Sequence, residues 1–158
     1  MPDSHGRFMQ VALQEAYRGI EKGEGGPFGA CVVRKGEIIA RGHNEVLKTR
    51  DPSRHAEVCA IGRASRLLGS PHLQGSVIYS TTEPCVMCFA AIHWACVRKI
   101  YFGTRIRDAR RLGFNELVIS NRTLRRLGKS RVEIVSGVLG GECRELLSYW
   151  KALGLPLY

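Results

Sequence analysis

The sequence predicts an α/β fold with three layers, in which one mixed five-stranded sheet is covered by helices on both faces. Two observations carry this. Short apolar segments rich in β-branched residues alternate with stretches of roughly a dozen residues whose apolar positions recur at helical spacing. The 158 residues, 44% hydrophobic, suffice for one full core, so 1–158 is read as one domain that needs no disulfide staples. No internal repeat, low-complexity tract or linker interrupts it.

Each element follows from local chemistry. Phe8, Val11, Ala12, Leu13 and Ala16 share a helical stripe, and Gly23, Gly25 and Gly26 stop the helix. Residues 29–34 and 37–41 flank Lys35-Gly36 as the two strands of a hairpin. Asp51-Pro52 reads as an N-cap with proline in the first turn, so a second helix begins near His55. It carries Ala56, Ala60, Ile61, Ala64, Leu67 and Leu68 on one stripe and ends at Gly69. Residues 76–80 form a third strand. After Pro84, residues 85–95 are apolar almost all round, as expected of a helix buried against a sheet. Residues 99–103 and 132–135 supply the fourth and fifth strands, and 142–153 a closing helix. The arginine-rich stretch 104–130 yields no clear assignment.

Composition narrows the function classes. No segment approaches 18 consecutive apolar residues, and Met1 to Gly23 lacks the order of a secretory signal, so no membrane partner and a cytoplasmic location are expected. Without such a signal the six cysteines are not a disulfide framework, and only Cys85 and Cys88 are close enough for a metal or redox role. Cys31 and Cys59 sit in apolar patterns and are expected in the core. The net charge is +10 with a pI near 9.7. Nine basic residues crowd one stretch, at Arg105, Arg107, Arg110, Arg111, Arg122, Arg125, Arg126, Lys129 and Arg131, with Phe114 the one aromatic among them. A solvated basic face is the default reading and a polyanion site the alternative, because charge alone reports solubility and nonspecific attraction.

The strongest local signal is His55-Ala56-Glu57 at the start of one helix together with Pro84-Cys85-Val86-Met87-Cys88 at the start of another. Thiolates and imidazole are ligands zinc prefers, and three protein ligands leave a fourth tetrahedral position open, as catalysis requires. Cys85 and Cys88 are three apart and face the same way on a helical turn. A helix N-terminus favours the thiolate form. Glu57 is the candidate to carry protons between water, a ring nitrogen and a departing amine. Residues two apart on a regular helix do not face each other, so His55 must lie at or before the first full turn. Two plainer readings stand beside this one. A Cys-x-x-Cys could be a thioredoxin-like redox pair, though that motif needs neither His55-Ala56-Glu57 nor Pro84. A structural zinc would want a fourth protein ligand, and His93 and Cys96 lie farther along the helix.

H-x-E followed by P-C-x-x-C is the signature of zinc nucleobase deaminases, and the chain resembles the cytidine deaminase-like superfamily over nearly its whole length. Within it, Gly25-Gly26-Pro27-Phe28-Gly29-Ala30, Gly42-His43-Asn44, Ala91-Ile92-His93-Trp94-Ala95, Asp108-Ala109 and Gly113-Phe114-Asn115-Glu116 resemble segments of bacterial guanine deaminases. The resemblance implies zinc on His55, Cys85 and Cys88, Glu57 as the catalytic acid and base, and hydrolysis of free guanine to xanthine and ammonia. It implies substrate contacts from Asn44, Phe28, Trp94 and Glu116, the last reading the guanine edge. Where that family carries an acidic pair, this chain has Asn115-Glu116, whose longer second carboxylate can still accept from guanine N–H groups. It also implies a homodimer in which the C-terminal segment, about 137–158, is exchanged between subunits and brings Tyr158 to the pocket, with Gly137, Gly140 and Gly141 as the hinge.

Each substrate contact has a plainer reading. Asn44 could shape a turn, Phe28 and Trp94 could be core aromatics, Glu116 a surface carboxylate and Tyr158 a frayed end. The rival functions are tRNA adenosine deamination to inosine, which would give the basic stretch a purpose, and deamination of cytosine or another aminated heterocycle. A nonenzymatic RNA-binding module that keeps zinc for stability is opposed by Glu57, which a structural site does not need.

Overall fold

The computed structural model describes residues 4–158. A helix α1 (Ser4–Glu21) leads into a hairpin, β1 (Gly29–Arg34) and β2 (Glu37–His43). Lys35 and Gly36 both adopt positive φ, 52° and 78°, the geometry of a tight turn that matches strand twist. A one-turn helix α2 (Val46–Thr49) and then α3 (Ala56–Leu68) precede β3 (Ser76–Thr82), α4 (Val86–Trp94) and β4 (Lys99–Thr104). The unassigned basic stretch holds two seven-residue helices, α5 (Ile106–Leu112) and α6 (Asn121–Leu127), before β5 (Glu133–Ser136) and α7 (Gly140–Ala152).

The sheet order is β2-β1-β3-β4-β5. β1 pairs antiparallel with both β2 and β3, while β3, β4 and β5 run parallel, so the sheet is mixed as expected. Alternate side chains divide between two cores. Ala30, Val32, Ile78, Ile100 and Phe102 face α3 and α4, packing with Ala56, Ala60, Ala64, Phe89 and Ile92. Cys31, Val33, Tyr79 and Tyr101 face α1 and α7, packing with Met9, Ala12, Ala16, Cys143, Leu146 and Trp150. Close approach fixes the second of these layers. A Cβ on Gly29 would stand 1.9 Å from the Ala12 carbonyl oxygen, so glycine lets α1 lie directly on β1.

One local expectation is corrected. Asp51 does not cap α3. Its carboxylate accepts from the Ser53 amide at 2.9 Å and the Ser53 hydroxyl at 2.6 Å, forming a side-chain turn instead. His55 takes the N-cap position. The parallel strands β3 and β4 end beside the starts of α3 and α4, which brings both motifs to the carboxyl edge of the sheet.

Candidate active site

His55 has extended backbone (φ −71°, ψ 158°) and makes no side-chain cap bond, while its carbonyl already accepts from the Cys59 amide at 2.9 Å. Glu57 lies in the first turn. The break between extended and helical backbone resolves the spacing difficulty, because the two residues are not on one regular helix. Cys85 repeats the arrangement at α4, with extended backbone (φ −67°, ψ 174°) and a carbonyl that accepts from the Phe89 amide. His55 Nδ1 stands 3.6 Å from the sulfurs of both Cys85 and Cys88. Tetrahedral bonds of about 2.0 Å to nitrogen and 2.3 Å to sulfur give ligand separations of roughly 3.6 Å, so this donor set fits zinc. The three ligand atoms lie within 4.8 Å of one another, and among the described residues no fourth donor joins them.

Electrostatics agree with that chemistry. A hydrogen bond from Cys88 holds the Cys85 thiol down at about 4 against the opposing effect of burial, and His55 helps. Cys88 is pushed up as the other member of the same pair. Glu57 is 6% exposed, and burial with the negative charge of Cys85 raises its carboxyl. Its Oε1 stands 2.9 Å from the Ser80 hydroxyl, whose oxygen is also 2.7 Å from the Thr82 carbonyl. A side chain so held can exchange a proton without moving far.

These groups open into a cavity of about 240 Å³. Its lining brings together Phe28, Asn44, His55, Glu57, Cys85, Glu116 and Tyr158, all picked out from the sequence. Asn44 is 1% exposed, and its side-chain oxygen accepts from the Val46 amide at 3.1 Å, which leaves the amide hydrogens as its remaining donors. Phe28 meets Phe114 edge to face at 5.1 Å. Burial first, then the charge of Cys85, push Glu116 up to about 7. A cation bound by Cys85 would cancel the second effect. Tyr158 accepts a hydrogen bond from the Gly26 amide at 2.8 Å and packs on Phe114 at 5.4 Å, so the chain end closes the pocket of its own chain. Cys88 is fully buried behind the opening.

Trp94 is not brought to this cavity. It is 78% exposed at the end of α4. Six residues past Cys88 turn the helix by about 600°, which points Trp94 away from the sulfur's face. Conversely, Pro52, Thr82, Glu83, Phe114 and Asn115 line the cavity and were not singled out as site residues. Glu83 is the most consequential. It is 5% exposed, and its two oxygens accept from the Ile106 amide at 3.1 Å and the Asn121 amide at 2.8 Å, capping α5 and α6. Its position beside Pro84-Cys85 was the available signal.

Residues 2–104 match the cytidine and deoxycytidylate deaminase zinc-binding region. The guanine deaminase of Bacillus subtilis (strain 168) is 40% identical over 116 residues, 73% of this chain and 74% of that one. The tRNA-specific adenosine deaminase of the same organism is 38% identical over 141 residues, 89% of this chain and 84% of that one. A structure of guanine deaminase from Nitrosomonas europaea is similar with a TM-score of 0.86 at 28% identity, covering 93% of this chain and 84% of that one. A structure from a study of tRNA:A34 deaminases is similar with a TM-score of 0.76 at 32% identity, covering 89% and 98%.

Proposed function

We propose, because the chain belongs to the cytidine and deoxycytidylate deaminase zinc-binding family and is a zinc-dependent aminohydrolase, that it hydrolyses free guanine to xanthine and ammonia. The observation that carries the choice of base is the Glu116 carboxylate in the wall of the pocket that also holds Glu57. Guanine presents N–H donors on its pairing edge, and the ionised form of the carboxylate, which those donors and a cation held by Cys85 would both favour against burial, only accepts. Adenosine presents an unprotonated ring nitrogen there.

His55, Cys85 and Cys88 would hold the metal. Zinc bound there supplies the Lewis acidity that lowers the pKa of water to about 7. Glu57 takes the proton of the attacking water, hands one to the ring nitrogen beside the amino-bearing carbon, and delivers one to the leaving amine. Water adds its oxygen to that carbon, the C–N bond breaks, and ammonia departs. Asn44 donates to the ring, Phe28 and Phe114 confine its faces, and Tyr158 closes the pocket against bulk water.

The chain would act as a homodimer. Met87 and Trp94 on α4 and Leu117, Val118 and Ile119 beyond α5 are exposed apolar side chains that a second copy could cover. An exchanged C-terminal segment, hinged at Gly137 (φ 82°), would repeat the Tyr158 contacts in the partner's pocket.

The second reading, tRNA adenosine deamination, is favoured by the charge distribution. Eleven of 24 basic residues but only two of 14 acidic ones lie between 98 and 131, which places nine of the ten net charges there. Ten of those eleven are exposed, as a phosphate-binding face requires. Ammonia release from zinc-loaded protein given guanine, cytosine, adenine, their nucleosides and a tRNA anticodon stem-loop separates the readings. Turnover of guanine with no release from the stem-loop is expected, and the reverse would replace guanine by tRNA adenosine.

A further inference from the structure

His43, one residue before Asn44, is 5% exposed, and both its ring nitrogens face carboxylates. Nδ1 stands 3.0 Å from Glu15 Oε2, and Nε2 stands 2.5 Å from Glu24 Oε2. Ionised carboxylates only accept, so a ring that satisfies both must carry a proton on each nitrogen. Arg18 lies 3.7 Å from Glu15 Oε1 and Lys48 lies 3.3 Å from Glu24 Oε1, which favours the ionised form of both acids. Glu24, His43 and Glu45 have the spacing of a metal site. Here both ring nitrogens are taken, Glu45 is engaged by Arg54 and Arg63, and five cations, Arg18, Lys22, Arg41, Lys48 and Arg63, line the surrounding cavity. The positive charge that fits between Glu15 and Glu24 is the imidazolium itself.

The residues on either side show what the charge holds. Glu24 bonds His43, and a Cβ on the next residue, Gly25, would lie 2.2 Å from the Asn44 carbonyl and side-chain oxygens. Gly26 donates to Tyr158, and the Phe28 carbonyl accepts from the Asn44 amide at 3.1 Å. The loop 24–28 thus runs in contact with 43–44 and carries Phe28 into the pocket. Gly19 makes room for the ring, since a Cβ there would lie 2.7 Å from His43 Cδ2.

We propose that His43 is a positioning residue: an imidazolium that bridges Glu15 of α1 and Glu24 of the following loop, fixes loop 24–28 against Asn44, and thereby sets the affinity for the base. This rests on the reading of the cavity as a nucleobase site. The hydrogen bond to Glu15 raises the His43 pKa above its ordinary 6.5; burial opposes the rise and Glu24 adds to it. The same bonds lower Glu15 and Glu24 below the ordinary carboxylate value of 4.5. The sign follows: the bridge is complete below the ordinary histidine pKa, is lost as pH climbs through the raised His43 value, and fails at the acid end only below 4.5.

The test uses the zinc-loaded protein and its His43→Gln and Glu24→Gln variants. In the wild type, the His43 ring protons followed by NMR should titrate above 6.5, and KM for guanine should rise with the same midpoint while kcat does not follow it. Each variant should raise KM roughly tenfold at neutral pH, the size of one charged hydrogen bond, with kcat within about twofold, zinc content unchanged and the KM step lost. Glu24→Gln removes the charge without emptying the buried ring position, so it remains informative if His43→Gln folds poorly. Titration of His43 at or below 6.5, or a fall in kcat at unchanged KM, overturns the proposal. The NMR titration needs no substrate, so absence of guanine turnover in the wild type would count against the function while the bridge is still decided.

Discussion

At the residue scale, Glu57 and the three candidate ligand positions would have separable roles in the proposed reaction, and substitution should separate them. Glu57→Gln keeps the carbonyl oxygen near Ser80 but cannot take a proton, so zinc content should stay normal while turnover falls at least about a hundredfold. Cys85→Ser should instead lose zinc, read by metal analysis, together with activity. A Glu57→Gln variant that keeps full turnover would remove Glu57 from the chemistry. The convergence of His55, Cys85, Cys88 and Glu57 on one place was legible in the sequence because ligand chemistry and helix starts are local properties. Glu83 was not, although it sits next to Pro84. Its task is to accept from the amides of Ile106 and Asn121, 23 and 38 residues away, and no local pattern reports such a partner. Trp94 shows the converse: an aromatic side chain matched by resemblance, which the turn of α4 leaves 78% exposed in the single chain.

At the element scale, the strands and the longer helices followed from periodicity and turn chemistry, whereas α5 and α6 did not. Seven residues of mostly arginine and leucine are too short and too polar to stabilise a helix alone, and both start on Glu83. Glu83→Ala should therefore unsettle both helices at once, seen as faster amide exchange across 106–112 and 121–127 than in strands β3 and β4. The turn between α2 and α3 depends on a second buried carboxylate. Burial would raise the pKa of Glu45, but hydrogen bonds from Arg54 and Arg63 more than reverse this and hold it at about 2. A depressed carboxyl contributes stability that is present above the ordinary value near 4.5 and is lost as pH falls toward 2. Glu45→Gln should cost roughly 1–2 kcal/mol at neutral pH, given the partial exposure of both guanidinium groups. The deficit should shrink in acid unfolding curves taken below pH 4.5. The C-terminal strap makes a third case: Tyr158→Phe removes the hydrogen bond from Gly26 and should raise KM by a few-fold, about the worth of one neutral hydrogen bond.

At the scale of the whole molecule, the mixed sheet gathers the starts of α3 and α4 at one edge, and the hairpin side supplies Phe28 and Asn44 to the same cavity. The basic face on α5, α6 and their flanking turns carries most of the net charge. If that face is only solvated, guanine turnover should vary little between low and moderate salt, because a neutral base makes no phosphate contacts; binding of a tRNA stem-loop through it would weaken steeply over the same range. The central claim is that Glu57 and the zinc ligands serve the deamination of free guanine. The most direct measurement is xanthine formation from guanine by zinc-loaded wild type beside Glu57→Gln at equal zinc content. Stoichiometric xanthine and ammonia from the wild type, with the variant near background, is the expected result; no xanthine from either protein while a tRNA stem-loop releases ammonia would contradict it.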